Sequence, residues 1–107
     1  MKDHRDIDRR SLAFGEAIAA RLRSHPELLT RAKQNLARWL VNGSPSSRPD
    51  LLEWEAAVNG PFNGVIALLT DPGEKATRLR QSNPFAGVLP NEERNAILRR
   101  FADHEAA

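Results

Sequence analysis

Ser24-His25-Pro26-Glu27, Ser47-Arg48-Pro49-Asp50 and Asp71-Pro72-Gly73-Glu74 decide the fold of this chain. Each stretch sets a side-chain acceptor three residues ahead of a carboxylate, with a proline between them. In a capping box the first residue accepts a bond from an orphan backbone N–H, and the carboxylate reaches back to the first residue's own N–H. Proline suits the first turn, because its missing N–H is not needed there and its fixed φ is already helical. Three helix starts are thereby predicted, and they divide the chain into short helical rungs.

Upstream of the first start, Ile7, Ser11, Phe14, Ile18 and Leu22 recur every three or four residues and predict a helix over about 6–22. Gly15 weakens that helix by up to about 1 kcal/mol relative to Ala and points to close approach of another helix. A second helix should follow Ser24 and run to about Val41, with Leu29, Ala32, Leu36 and Leu40 in line, ending at Asn42-Gly43 in a left-handed stop. Residues 43–48 read as a flexible loop. A third helix, about 49–58, offers Leu51, Trp54 and Val58, widened by Leu52. A fourth, about 62–69, is apolar on most sides and reads as the central one. A short fifth after Asp71 carries Ala76 and Leu79.

Phe85-Ala86-Gly87-Val88-Leu89-Pro90 is an apolar connector too rich in Gly and Pro for a helix. A sixth helix spans about 91–102, with Ile97, Leu98 and Phe101 inward, acids at its start and arginines at its end. No segment alternates apolar and polar residues long enough for a strand. The expected fold is all-α, a compact antiparallel bundle of five or six short helices in a single domain over 1–107, with frayed ends at about 1–5 and 103–107.

Composition bounds the function. The 107 residues include 27 large apolar side chains, enough for one core without cross-links, and no cysteine, which excludes a disulfide framework and a thiolate zinc site. No signal-like or membrane-spanning run is present, so a cytoplasmic location is expected. The net charge is +2, yet 21–48 carries a local +5 and 49–74 a local −5. Segments of opposite sign either face each other or lie on separate solvated faces.

The chemistry of catalysis is missing. His4, His25 and His104 lack partners at ligand spacing, so no metal or cofactor is expected. The serines occupy caps and loops, no nucleophile elbow or phosphate loop occurs, and no catalytic residue is assigned. A helix-turn-helix across Asp71-Pro72-Gly73 fails on Leu69 and Glu74, where a small and an apolar residue are required. Arg31, Lys33, Arg38, Arg78 and Arg80 still form the candidate set for a nucleic-acid-binding face. Trp39, Trp54, Phe85, Val88 and Leu89 form the candidate set for binding another protein. For the connector two readings stand: a lid buried under the bundle between helices five and six, or a displayed apolar patch.

The run Leu79-Arg80-Gln81-Ser82-Asn83-Pro84-Phe85-Ala86-Gly87-Val88-Leu89, with Glu92-Glu93-Arg94 and Ala96-Ile97-Leu98-Arg99, resembles the ending of a group of small bacterial all-helical proteins. Leu36-Ala37-Arg38-Trp39 and Leu52-Glu53-Trp54 match further landmarks of that group. Pro90-Asn91 and Asn95 depart from its pattern, where a Ser/Thr cap and an aromatic are usual. The resemblance implies a companion in a toxin–antitoxin-like gene pair and brings no catalytic residues. The leading expectation is a non-enzymatic bacterial protein-interaction module, antitoxin-like or regulatory. The alternatives are a nucleic-acid-binding module and a self-associating structural subunit.

Overall fold

Prolines and polar turns set the helix boundaries. The structure is a computed structural model that describes the backbone of residues 4–106 and the side chains of 7–102. Its elements are α1 (His4–Ser24), a 3₁₀ turn (Pro26–Leu28), α2 (Leu29–Asn42), α3 (Arg48–Val58), α4 (Phe62–Thr70), α5 (Glu74–Arg80) and α6 (Asn91–Ala106). Among the described residues there is no strand, and the fold is an all-α bundle of six helices. The outer helices reach His4 and Ala106, beyond the expected bounds. The fraying expected at 1–3 and 107 lies outside the described residues.

Pro26 and Pro49 occupy first turns, as their fixed φ requires. The side-chain caps differ from expectation at all three starts. Ser24 is the last residue of α1, and the pre-proline restriction falls on His25 alone (φ −136°, ψ 73°). Ser47 is itself in the helical region, and its hydroxyl lies 3.2 Å from Ser44 Oγ instead of capping α3. Asp71 Oδ1 accepts the Gly73 N–H at 2.8 Å, an Asx turn that leaves Gly73 as the cap residue of α5. The stop after α2 is extended, with Gly43 at φ −79° and ψ 171°, although its N–H still closes on the Trp39 carbonyl at 2.7 Å.

The core draws on each of the five α-helices in the first ninety residues: Ile18 and Leu22 from α1, Leu36 from α2, Trp54 from α3, Val65 and Leu69 from α4, and Leu79 from α5. The central position expected of α4 is shared with α1: α4 packs on α1, α3 and α5, and α1 on α4, α5, α6 and the 3₁₀ turn. Gly15 marks the closest approach, since a Cβ there would collide with the Leu69 carbonyl oxygen. Trp54 is fully buried, donates Nε1–H to the Leu79 carbonyl at 2.6 Å, and meets Phe85 edge-on with ring centroids 5.9 Å apart.

Two apolar faces are narrower than expected. Leu52 on α3 and Leu98 on α6 are exposed, and Ile97 is the one fully buried side chain among the described residues of α6, which packs on α1. The acids of α3 meet bases of α5 instead of the basic α2: Glu53 lies 3.2 Å from Arg78 and 3.7 Å from Lys75, and Asp50 3.8 Å from Arg78. Among the described residues no helix is long and apolar enough to cross a membrane.

Candidate functional site

The connector is a fastened part of the core. Phe85 and Val88 are buried, and so is Trp54, which decides between the two readings of the connector for the packed lid and corrects the placing of these three side chains among the displayed partner-binding candidates. Trp39 and Leu89 are half-buried and pack against the same core. Polar chemistry from α2 holds the connector in place. Asn35, only 5% exposed, donates Nδ2–H to the carbonyls of Pro84 (2.8 Å) and Ala86 (3.2 Å), while its Oδ1 accepts from Arg38 Nη2. Arg31 Nη1 donates to the Gly87 carbonyl at 3.3 Å. Gly87 has φ +82°, which suits glycine, and a Cβ there would sit 2.8 Å from Arg31 Nη1. Asn83 Oδ1 accepts the Phe85 N–H at 2.8 Å and sets the entry turn.

The arginine set does not form one face. Arg80 is 5% exposed and inward. Its Nη1 donates to the Leu68 (3.0 Å) and Asp71 (2.6 Å) carbonyls, Nη2 to Thr77 Oγ1 at 3.2 Å, and Nε to Ser11 Oγ at 3.3 Å. Those two carbonyls lie at the C-terminal end of α4, where the helix leaves acceptors without partners, so Arg80 serves as a cap supplied from α5. Burial lowers the pKa of its guanidinium from the ordinary value, opposed by the nearby Asp71, Asp8 and Glu16 carboxylates. Arg78 is engaged with α3 acids, and Arg31 and Arg38 with the connector clamp. Lys33 is exposed. Three of the five sit on α2, which packs on α3, and two on α5, which packs on α1 and α4.

His25 is exposed with Nδ1 3.4 Å from Glu27 Oε1, and among the described residues no cluster of His, Asp and Glu could hold a metal. His4 and His104 lie outside the described side chains.

The concave surface with free chemistry lies where α1, α6 and the connector meet. A groove of about 490 Å³ is lined by Ile7, Arg10 and Phe14 of α1, by Arg94 and Leu98 of α6, and by Gln81. Ile7 and Leu98 are among the exposed large apolar residues. A smaller slot of about 190 Å³ shares Phe14, Asn83 and Arg94 with the groove and adds Ile18, Phe85 and Leu89. No carboxylate lines either space among the described residues.

Sequence reasoning missed this site because it treated the stripe from Ile7 to Leu22 as uniformly internal. Only the C-terminal half, Ile18 and Leu22, is buried; Phe14 is half-buried and Ile7 exposed. The signal was the polar Ser11 interrupting that stripe. No protein-family model, curated protein or solved structure matches this chain.

Proposed function

We propose that the protein is a non-catalytic protein-interaction module whose α1–α6 groove holds a polypeptide segment bearing carboxylates beside apolar side chains. The observation that carries this reading is the pairing of exposed Ile7 and Leu98 with the cations Arg10 and Arg94 around one concavity that no acid lines among the described residues. Exposed apolar residues gathered at a concave site usually mark an interface, and arginine is enriched where proteins meet. Complementary charge on the partner would set its register and speed its encounter. The antitoxin-like or regulatory role expected from the resemblance, and a cytoplasmic setting, fit such a module and belong to the same proposal.

A displayed random-peptide library tests it. Selection on the wild-type protein, with counter-selection on the Arg10→Glu/Arg94→Glu double variant, should enrich peptides that place Asp or Glu next to Leu, Ile or Phe. Failure to enrich, or equal recovery on the folded double variant, overturns the proposal. Salt-sensitive binding of mixed DNA and RNA that survives the same double substitution would favour the nucleic-acid reading instead.

A further inference from the structure

We infer that the slot beneath the groove reads the carboxyl-terminal end of the partner chain: an apolar last side chain and its free α-carboxylate. This inference rests on the groove being a polypeptide-binding site, and it names the part of the partner that anchors there.

Size is the first argument. The slot holds about 190 Å³. An engineered apolar cavity of about 150 Å³ accepts one benzene, whereas sites for whole small ligands span about 300–1,000 Å³. One Leu- or Phe-sized side chain therefore fills it.

Chemistry is the second. The half-buried Phe14 and Leu89 form apolar walls over a floor to which the buried Ile18 and Phe85 add a little surface, and the same small space is lined by Arg94 and Asn83. Asn83 is fixed in orientation because its Oδ1 accepts the Phe85 N–H, so its amide Nδ2 is left as a donor with no acceptor among the described residues. Arg94 adds guanidinium donors, the group best matched to a carboxylate. Among the described residues the slot thus offers apolar contact, two kinds of donor and no acid.

Covalent geometry joins the two arguments. A space for one residue that carries both apolar walls and carboxylate donors asks for both features on a single residue. Within a chain, Asp and Glu have the charge without the apolar bulk, and Leu, Ile and Phe the reverse. Only a terminal apolar residue carries a carboxylate on the same Cα as its side chain. The larger groove, with Arg10 and Ile7 further along, then accommodates the preceding residues.

The test uses the full chain and fluorescein-labelled Asp/Glu-rich short peptides ending in Leu or Phe, each as free acid and as C-terminal amide, followed by anisotropy. The free acids should bind at least about tenfold more tightly than the amides, the usual worth of a charge-assisted bond. A terminal Gly should cost a similar factor. Asn83→Asp keeps the acceptor for Phe85 but replaces the donor with a second oxygen, so it should remove the preference for the acid while leaving the melting temperature unchanged. Arg94→Gln should act in the same direction. Equal affinity of acid and amide, both weakened by Arg10→Glu/Arg94→Glu, would overturn the chain-end inference and leave the groove standing. N-acetyl-leucine binding as tightly as the peptides would overturn it in favour of a small carboxylic acid. Wild-type protein that binds none of the peptides would overturn both.

Discussion

The connector after α5 and helix α6 invert the usual relation between regular backbone and stability. Residues 81–90 have no repetitive structure, yet Pro84, Phe85 and Val88 are buried and their backbone is held by Asn35, Arg31 and Asn83. By contrast, α6 is a sixteen-residue helix with Ile97 as its one fully buried side chain among the described residues. It satisfies its own backbone and complements the start of its dipole with Glu92 and Glu93, whereas Arg99 and Arg100, expected at its end, fall mid-helix because α6 runs on to Ala106. Local order of that kind is marginal without tertiary support, which α1 supplies. The lesson is that anchorage follows burial and satisfied carbonyls, and helical geometry follows local bonding; the two need not coincide.

Three substitutions test that contrast. Trp54→Ala should have the largest effect, about 3–5 kcal/mol in denaturant unfolding, because it opens a cavity beneath Phe85 and removes the indole N–H from the Leu79 carbonyl, which keeps only the Ser82 amide at 3.0 Å. A loss no greater than that of Ile97→Ala would refute the claim that the connector is anchored here. Asn35→Ala comes next, at about 2–3 kcal/mol, since it leaves the Pro84 and Ala86 carbonyls without their donor. Unfolding at wild-type denaturant concentration would show that the clamp is dispensable. Ile97→Ala should cost the least, at or below about 2 kcal/mol, the low end for such truncations, because α6 can settle onto α1. In the same variant, hydrogen exchange should quicken along α6 while the amides of Phe85 and Val88 stay protected. Even in the wild-type protein the Val88 amide, bonded to the Phe85 carbonyl at 3.1 Å, should exchange more slowly than those of α6. The opposite order would refute the comparison.

Most of the architecture was legible because apolar spacing and proline act locally. Leu51, Trp54 and Val58 lie inward as their spacing demands, and Gly15 is where two helices touch. The caps were misread because cap chemistry depends on the path of the incoming chain: α1 runs through Ser24, and the turn before α3 draws Ser47 toward Ser44. Arg80 was misplaced, and Asn35 was not singled out, for a related reason. Both lie on the inward stripe, Asn35 with Ala32 and Leu36, Arg80 with Ala76 and Leu79. Periodicity therefore located them, while their polarity argued for solvent; the carbonyls that reconcile the two come from distant segments. Beyond the break that Ser11 makes in the α1 stripe, the candidate groove was illegible, since it arises from where α6 settles against α1. That docking is weakly encoded in a helix with so narrow an apolar face.

Arg80 carries a consequence of its own. A planar guanidinium reaches the end of α4, a threonine of its own helix and a serine of α1 at once, a task for which the single ammonium of lysine is poorly shaped. Because this cation stays protonated across the range in which proteins survive, the junction it seals is indifferent to its own titration, and salt screens so buried a group less than it screens an exposed one. The protein has in effect placed its most soluble kind of side chain where a rivet is needed, and an arginine-specific reagent such as a dicarbonyl would find that position silent until the three helices part.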